Sequence, residues 1–256
     1  MAATEAGRTA AVIVIGNEIL SGRTVDANLP FLARELASLG IALREARVVP
    51  DEVAMIAEAV NACRTRYDYV FTTGGIGPTH DDVTAAAVAR AFARPLVRHP
   101  EAERRLRAWY GEERINEARL KMADMPEGAA LIDNPISTAP GFRIENVYVL
   151  AGIPGVARAM FEGLRGGLRG GPAITSRTLT VHAPEGEVAE ALAALQRAFP
   201  DVEIGSYPFF RFERVGTNIV LRGREAARVA AAWAALVERV EALGFDFEAE
   251  TGGGRG

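Results

Sequence analysis

Strand-like runs alternate with stretches of helical periodicity over the first 168 residues of the chain. The first run, Ala10–Ile15, is apolar at every position, as expected of a strand covered on both faces. Two further strands are expected at Ile41–Val49 and Asp68–Thr72, and apolar residues spaced three and four apart follow each run. This alternation predicts βαβ units, which build a mostly parallel sheet with helices on both faces.

Local signals set the expected ends of the helices. Asn28 is expected to cap the first long helix, Pro30 is tolerated in its first turn, and Gly40 ends it. Another helix is expected to start near Thr79, directly after a glycine cluster. The later elements predicted are a charged surface helix, a strand or hairpin, and a closing helix, at Glu101–Ala118, Phe142–Ala151 and Val156–Leu168.

The pattern changes at the glycine-rich segment Arg165–Pro172, which we interpret as a linker. Beyond it, segments follow in the order β-α-β-β-α and predict a small ferredoxin-like α+β module at residues 173–245. The predicted fold class is therefore α/β, with a three-layer, mostly parallel sheet domain at residues 9–168 and the α+β module after it. Residues 246–256 are expected to form a flexible tail.

Composition narrows the class of protein. Of 256 residues, 49% are hydrophobic and 24% are charged, as in an ordinary globular protein. The net charge of -4 and the lack of a basic stripe in the sequence argue against DNA or RNA as a partner. The one cysteine, Cys63, excludes an intrachain disulfide. The sequence has neither a signal-like N-terminus nor a membrane-length apolar stretch, so we expect a soluble, cytoplasmic protein.

The stretch TTGGIGPTHDDVT, residues 72–84, carries the strongest chemical signal. Gly74, Gly75 and Gly77 follow the third predicted strand, at the sheet edge where ligands bind in open α/β folds. Glycines let the backbone approach a ligand and direct several N–H groups at an anion. The helix expected near Thr79 adds its positive end at the same place. The pattern predicts a phosphate site, although it is neither a Walker loop nor GxGxxG.

Two adjacent carboxylates, Asp81 and Asp82, lie in the same stretch. A structural interpretation is that they occupy a first helical turn, where a carboxylate gains ~0.3–1 kcal/mol from the helix dipole. In the functional interpretation, the two carboxylates would repel a bound phosphate unless a cation lay between the carboxylates and the phosphate. Mg²⁺ commonly takes one or two carboxylates and phosphate oxygens as ligands. We favour the second, in which Asp81 and Asp82 are catalytic and hold a divalent metal (Mg²⁺, Mn²⁺ or Co²⁺) or activate water.

The loop after the first predicted strand, GNEILSGRTVDAN, holds two more acidic candidates. Glu18 and Asp26 flank Ser21-Gly22, where they could extend the ligand site. A structural alternative has equal weight from spacing alone, since Asp26 could cap the next helix and Glu18 could be a solvated loop charge.

Four segments together resemble one protein family. TTGGIGPTHDDVT resembles the TTGGxGPTxDDxT motif in the molybdopterin-binding domain of CinA-type (competence/damage-inducible protein A) proteins, and the shorter GGTG motif of MoaB/MogA proteins. GNEILSGRTVDAN, NPISTAPGF and AGIP are similar to the other motifs of this family and occur in the family order, over residues 9–168. IGSYP, residues 204–208, is similar to the segment that follows the corresponding domain of eukaryotic FAD synthetases.

The resemblance implies a MogA-like fold and a set of ligand-binding positions. Asp82 matches the aspartate implicated in adenylyl transfer in MogA-type proteins, and Asp81 is the additional acid of the CinA type. The implied cofactor-binding positions are Gly74, Gly75, Gly77, Thr79, Glu18, Asp26, Asn134, Ser137, Gly152 and Pro154. The family further implies a homo-oligomer, dimer or trimer, and related domains hydrolyse the pyrophosphate of ADP-ribose or FAD with a divalent metal.

Three functions remain open from the sequence. The first is a metal-dependent nucleotide pyrophosphatase, a hydrolase acting on ADP-ribose or an FAD-like dinucleotide. The second is the binding of molybdopterin, or its adenylylation, in molybdenum-cofactor biosynthesis; Ile76, in place of the threonine of GGTG, argues against adenylylation. The third is a non-catalytic module that binds a nucleotide or a pterin.

Overall fold

The computed structural model describes residues 7–211 and 214–249. A boundary between Gly171 and Pro172 divides the chain into two compact units. The boundary lies inside the glycine-rich segment that the sequence predicts as a linker. None of the helices in the described part of the chain is both long and apolar enough to cross a membrane.

The first unit alternates strands and helices. Its strands are β1 (Thr9–Ile15), β2 (Ala42–Val49), β3 (Tyr69–Thr73), β4 (Leu96–Arg98), β5 (Asp124–Pro126), β6 (Ala130–Ile132), β7 (Gly141–Ile144) and β8 (Val147–Leu150). Its helices are α1 (Asn17–Leu20), α2 (Asn28–Ser38), α3 (Val53–Arg64), α4 (Thr84–Ala91), α5 (Pro100–Tyr110), α6 (Glu117–Leu120) and α7 (Pro154–Arg165), with a 3₁₀ helix at Lys121–Ala123.

The central sheet of this unit has the strand order β2-β1-β3-β8-β7-β6. Neighbours among β2, β1, β3 and β8 are parallel, whereas β7 runs antiparallel to both β8 and β6. Strands β4 and β5 form a separate antiparallel pair. The mostly parallel sheet and the hairpin expected at Phe142–Ala151 are therefore confirmed.

Strand β1 shows why this unit has three layers. Ile13 belongs to the core on one face of the sheet, which includes residues of α3 and α4. Val12 and Val14 belong to the core on the other face, which includes residues of α2 and α7. All three side chains are buried, because a strand covered on both faces needs apolar groups at every position.

The charged segment at Glu101–Ala118 differs from the single exposed helix that its composition predicts. Helix α5 ends at Tyr110, because Gly111 adopts the left-handed conformation (φ 73°), and α6 starts only at Glu117. Helix α5 also has an inner face, on which Ala102 and Leu106 are fully buried. Its many charges occupy the opposite face.

The second unit is an antiparallel sheet with two helices. Its elements are β9 (Thr175–Val181), α8 (Glu185–Ala198), β10 (Glu203–Arg211), β11 (Arg214–Gly223), α9 (Ala226–Ala242) and β12 (Phe247–Ala249). The sheet order β10-β11-β9-β12 is that of a ferredoxin-like fold, as predicted.

The strand β12 corrects the expected tail. The sequence predicts a flexible tail from residue 246, but Phe247–Ala249 pair antiparallel with β9, and Phe247 packs against the core of the second unit. A three-residue strand has too little local pattern to be recognised without its partner. The rest of the predicted tail, residues 250–256, lies outside the described residues.

Candidate functional site

The glycine loop follows β3 at the carboxyl edge of the sheet, where the sequence places it. Gly74 and Gly75 have φ values of 103° and 67°, which residues with a side chain rarely adopt. A Cβ on Gly74 would lie 2.2 Å from the carbonyl oxygen of Ile15, and a Cβ on Gly75 would lie 2.2 Å from the Thr84 hydroxyl. The fold itself therefore requires glycine at both positions.

Thr84, the first residue of α4, fixes the shape of this loop. Its buried hydroxyl donates to the Gly74 carbonyl oxygen at 2.9 Å, and its N–H donates to the Gly75 carbonyl oxygen at 3.0 Å. The carbonyl groups of Gly74 and Gly75 therefore point toward α4. The N–H group that follows each of them points away from α4, because the C=O and N–H of a trans peptide are opposed.

The N–H groups available for an anion nest differ from those of the three glycines that the sequence predicts. The Gly74 N–H donates to the Leu150 carbonyl oxygen at 3.2 Å and therefore belongs to the sheet. The N–H groups of Gly75, Ile76 and Gly77 have no acceptor within residues 7–211 and 214–249. These three groups are available to a phosphate oxygen.

The two adjacent acids have different surroundings. Asp82 is half-buried; its Oδ2 accepts the Thr79 N–H at 2.8 Å and also the Thr79 hydroxyl, and its Oδ1 has no partner among the described residues. Asp81 is exposed. The nearby Thr79 hydroxyl is the main cause that lowers the pKa of Asp81, whereas the hydrogen bond of that hydroxyl is made to Asp82.

The helix that the sequence predicts from Thr79 begins five residues later, at Thr84. Residues 79–83 form turns instead, because the Asp82 side chain binds the Thr79 N–H and the Asp82 N–H donates to the Thr79 carbonyl oxygen at 3.3 Å. Asp81 and Asp82 are therefore outside the first helical turn, and the structural interpretation based on the helix dipole is wrong.

A cavity of about 80 Å³ opens beside the glycine loop. Its polar lining comes from Gly75, Gly77, Asp82, Lys121 and Asp124. Asp124 is already paired with Arg98, at 2.9 Å. Lys121 donates to the Thr79 carbonyl oxygen and forms no ion pair with any described carboxylate. The cavity therefore places the Lys121 ammonium group next to the three available N–H groups. Sequence reasoning did not select Lys121.

A second cavity, of about 60 Å³, lies at the carboxyl ends of β1, β3 and β8. It brings together four of the residues predicted to bind a cofactor: Glu18, Asp26, Gly152 and Pro154. Asn28 and Thr73, which sequence reasoning missed, also line it. The Asn28 Nδ2 donates to the Gly152 carbonyl oxygen at 2.7 Å, whereas the buried Asn28 Oδ1 and Thr73 Oγ1 have no partner among the residues that the structure describes. Such atoms are costly to bury unless a ligand or water satisfies them.

Asp26 also has the structural role that the sequence left open. Its carboxylate accepts the N–H of Asn28 at 3.3 Å and that of Leu29 at 2.8 Å, at the start of α2. The prediction that Asn28 caps this helix is therefore wrong, because Asp26 supplies the capping oxygens. Glu18 folds back over Gly16, where a Cβ would lie 2.5 Å from its Oε1.

Asn134 and Ser137 organise their own loop and line neither cavity. The Asn134 Nδ2 donates to the Ser137 Oγ at 2.7 Å and to the Ala139 carbonyl oxygen at 2.8 Å. The Asn134 Oδ1 accepts the N–H groups of Ile136 and Ser137. Through this loop, Asn134 positions Pro140 and Phe142, which do line the first cavity.

The donor set for a metal is limited. Among the described residues, no group of three or more His, Cys, Asp or Glu side chains is arranged to hold a metal ion. Of the predicted pair, Asp82 lines the first cavity, and Asp81 lines neither of the two cavities described above. One carboxylate fits a cation such as Mg²⁺ that takes its remaining ligands from water and substrate phosphate. The metal remains a prediction.

Comparison with known proteins matches both units to families. Residues 11–169 match the family described as probable molybdopterin binding domain, and residues 173–246 match the middle domain of FAD synthase. A CinA-like protein of Desulfosudis oleivorans is 38% identical over 77% of this chain, and a probable FAD synthase of Caenorhabditis elegans is 30% identical over 90% of it. The chain spans 51% and 50% of the lengths of these two relatives.

A solved structure supports the same assignment. The CinA protein of Thermoplasma acidophilum, whose function is described as unknown, is 34% identical to this chain. The match has a TM-score of 0.60 and covers 62% of this chain and 97% of the other. The three-layer sheet with its glycine loop thus defines a MoaB/MogA-like domain of a small-molecule-binding class. The chain belongs to the probable molybdopterin binding domain family and, within it, is of the CinA-like type.

Proposed function

We propose that this protein is a metal-dependent nucleotide pyrophosphatase that hydrolyses a dinucleotide such as ADP-ribose or FAD. The observation that carries the proposal is the first cavity, where the open Oδ1 of Asp82 lies in one lining with Gly75, Gly77 and Lys121. The second cavity, with the unpaired oxygens of Asn28 and Thr73, offers acceptors to a nucleoside part of the ligand. The match to the FAD synthase middle domain supports a nucleotide ligand.

The residues of the first cavity have complementary roles in this reaction. The N–H groups of Gly75 and Gly77 bind phosphate oxygens, and Thr79 holds the Asp82 carboxylate so that its Oδ1 orients a water molecule. The water oxygen forms a bond to one phosphorus while the bond from that phosphorus to the bridging oxygen breaks. The water proton passes through Asp82 to solvent, and ADP-ribose yields AMP and ribose 5-phosphate. A divalent metal, when bound, would neutralise charge on the phosphates.

The test is turnover of defined dinucleotides. Purified protein is incubated with ADP-ribose or FAD and with Mg²⁺, Mn²⁺ or Co²⁺, and the mononucleotide products are quantified. We expect metal-dependent cleavage, which Asp82→Asn lowers by about 10²–10⁴-fold in kcat. Asp133→Asn, which changes an exposed carboxylate outside both cavities, is the matched control. Absence of cleavage with all three metals contradicts the proposal.

Molybdopterin binding is the second candidate, because the matching family is described by that ligand. It predicts saturable binding of molybdopterin without any nucleotide hydrolysis. Asp82→Asn would then leave binding largely intact, since backbone N–H groups rather than the carboxylate contact the phosphate. Equilibrium binding measured by pterin fluorescence, beside the turnover assay, separates the two functions.

A further inference from the structure

The chain contains a single lysine, Lys121, among its 29 lysines and arginines. All the others are arginines, so the sequence uses lysine instead of arginine at one position. The two side chains differ physically. An arginine presents a wide planar fork, whereas a lysine ends in a compact point charge with three rotatable donors. A lysine is therefore suited to a narrow cavity.

The fold brings Lys121 to the first cavity from a distant segment. Lys121 begins the 3₁₀ helix that follows α6, and its Nζ reaches the carbonyl oxygen of Thr79, 42 residues earlier in the chain. The residue is half-buried and shares the cavity lining with Gly75, Gly77 and Asp82. The ammonium group thus lies at the loop whose N–H groups have no protein acceptor.

Lys121 forms no ion pair with the carboxylates around it that the structure describes. Of the two acids in the same cavity, Asp124 is paired with Arg98, and Asp82 is hydrogen-bonded to Thr79 through Oδ2. Neither forms an ion pair with Lys121, and neither does the exposed Asp81, although the Lys121 charge contributes to lowering the pKa of that carboxyl. A half-buried ammonium group that is not held in an ion pair can accept a ligand anion.

We propose that Lys121 binds a phosphate group of the ligand in the first cavity, together with the N–H groups of Gly75 and Gly77. The part of this inference that concerns turnover rests on the proposed function. When the bond from phosphorus to the bridging oxygen breaks, the leaving phosphate takes the electron pair, and the Lys121 ammonium donates a hydrogen bond to the oxygen that becomes negative. No proton transfer from Lys121 is required.

A single lysine allows a direct binding test on the intact protein. An amine-selective acetylating reagent can modify only Lys121 and the α-amino group of the chain, and the two sites are separated by peptide mass spectrometry. The probes are inorganic pyrophosphate and ADP-ribose, with adenosine as the phosphate-free control. At ten times the dissociation constant, each phosphate probe should slow acetylation of Lys121 about tenfold, without changing the α-amino group. Equal rates with and without pyrophosphate overturn the proposal.

Substitutions distinguish phosphate binding from a purely structural tether. Lys121→Gln keeps an N–H donor, one bond closer to the backbone than the lysine Nζ, but removes the charge. We expect it to weaken pyrophosphate binding by about 10- to 100-fold at an unchanged melting temperature. Lys121→Arg restores the charge and should recover part of the affinity. Arg119→Gln is the matched control, because it removes a positive charge two residues away without touching the cavity. Unchanged pyrophosphate affinity in Lys121→Gln contradicts the proposal.

The outcomes also separate this inference from the proposed pyrophosphatase. Protection of Lys121 by pyrophosphate without any turnover leaves Lys121 as a phosphate-binding residue of a non-catalytic site. In the opposite case, turnover requires Asp82 but is the same in Lys121→Gln, and pyrophosphate does not protect Lys121. That result supports the pyrophosphatase and contradicts phosphate binding by Lys121.

Discussion

At the scale of single residues, Thr84 decides the shape of the candidate site. Its hydroxyl and N–H hold the carbonyl groups of Gly74 and Gly75, and a Cβ at Gly75 would collide with that hydroxyl. The sequence motif explained the glycines by close contact of the backbone with a ligand. The structure adds a steric reason, since both glycines are also required by the packing of the loop against Thr84 and Ile15.

Replacing Thr84 with valine should loosen the loop. Valine preserves the shape of the side chain but leaves the Gly74 carbonyl oxygen buried without its donor, which should lower the free energy of unfolding by ~1–3 kcal/mol. Urea unfolding checks the value, and pyrophosphate binding should weaken in the same variant. Thr178→Val, on β9, is the control and should change little, because valine suits a strand. Equal stability of Thr84→Val and the unsubstituted protein contradicts this role.

At the scale of elements, the first residue of a helix depended on nearby carboxylates that accept backbone N–H groups. Helix α4 starts late because Asp82 binds the Thr79 backbone, and α2 is capped by Asp26 rather than by Asn28. The existence of both helices was predictable, since apolar periodicity is a local property. Their first residues were not, because the choice between a cap and a turn depends on which N–H group each carboxylate contacts.

Two glycines near the end of α7 should respond oppositely to alanine. Gly163 is an exposed interior residue of α7, where a Cβ would meet no described residue within 4 Å, so Gly163→Ala should raise the free energy of unfolding by ~0.5–1 kcal/mol. At Gly170, a Cβ would lie 1.6 Å from the Leu39 carbonyl oxygen, so Gly170→Ala should destabilise the first unit. Thermal unfolding of both variants checks the two signs. A destabilised Gly163→Ala would mean that the backbone at this position is not an ordinary helix.

At the scale of the whole molecule, the chain is two units with separate cores, and the two cavities belong to the first unit. The second unit has a core of its own, which includes Leu179, Leu221 and Trp233. Outside this core, Asp201 forms two hydrogen bonds with the guanidinium group of Arg228, both at 2.8 Å. This pair joins the turn before β10 to α9.

The Asp201–Arg228 pair should give the second unit an acid-dependent stability. Its hydrogen bonds lower the pKa of Asp201 from 3.8 to about 2. A lowered carboxyl pKa adds stability that is present above pH 3.8 and is lost as the pH falls toward 2. Asp201→Asn should therefore be less stable than the unsubstituted protein at pH 6, and the difference should shrink as the pH falls from 3.8 to about 2.

Tryptophan fluorescence can isolate this effect. The chain has two tryptophans, Trp109 in the first unit and Trp233 in the second, so a Trp109→Phe background leaves a reporter in the second unit. Urea unfolding is measured from pH 6 to pH 2 for Asp201→Asn and for Glu190→Gln, an exposed control on α8. The free energies of unfolding of Asp201→Asn and of the unsubstituted protein are compared at each pH. If they differ by the same amount over the whole range, the pair does not carry the acid dependence.

The sequence by itself determined the main helices, the main strands and the glycine loop of this protein, because apolar periodicity and glycine spacing are properties of neighbouring residues. Only the tertiary structure decided which distant groups meet. Lys121 reaches Thr79 across 42 residues, Asn28 reaches Gly152 across 124, and β12 is recognisable as a strand only beside β9. These contacts depend on how the strands are ordered in the sheets, so spacing along the chain could not reveal the cation of the first cavity or the unpaired oxygens of the second.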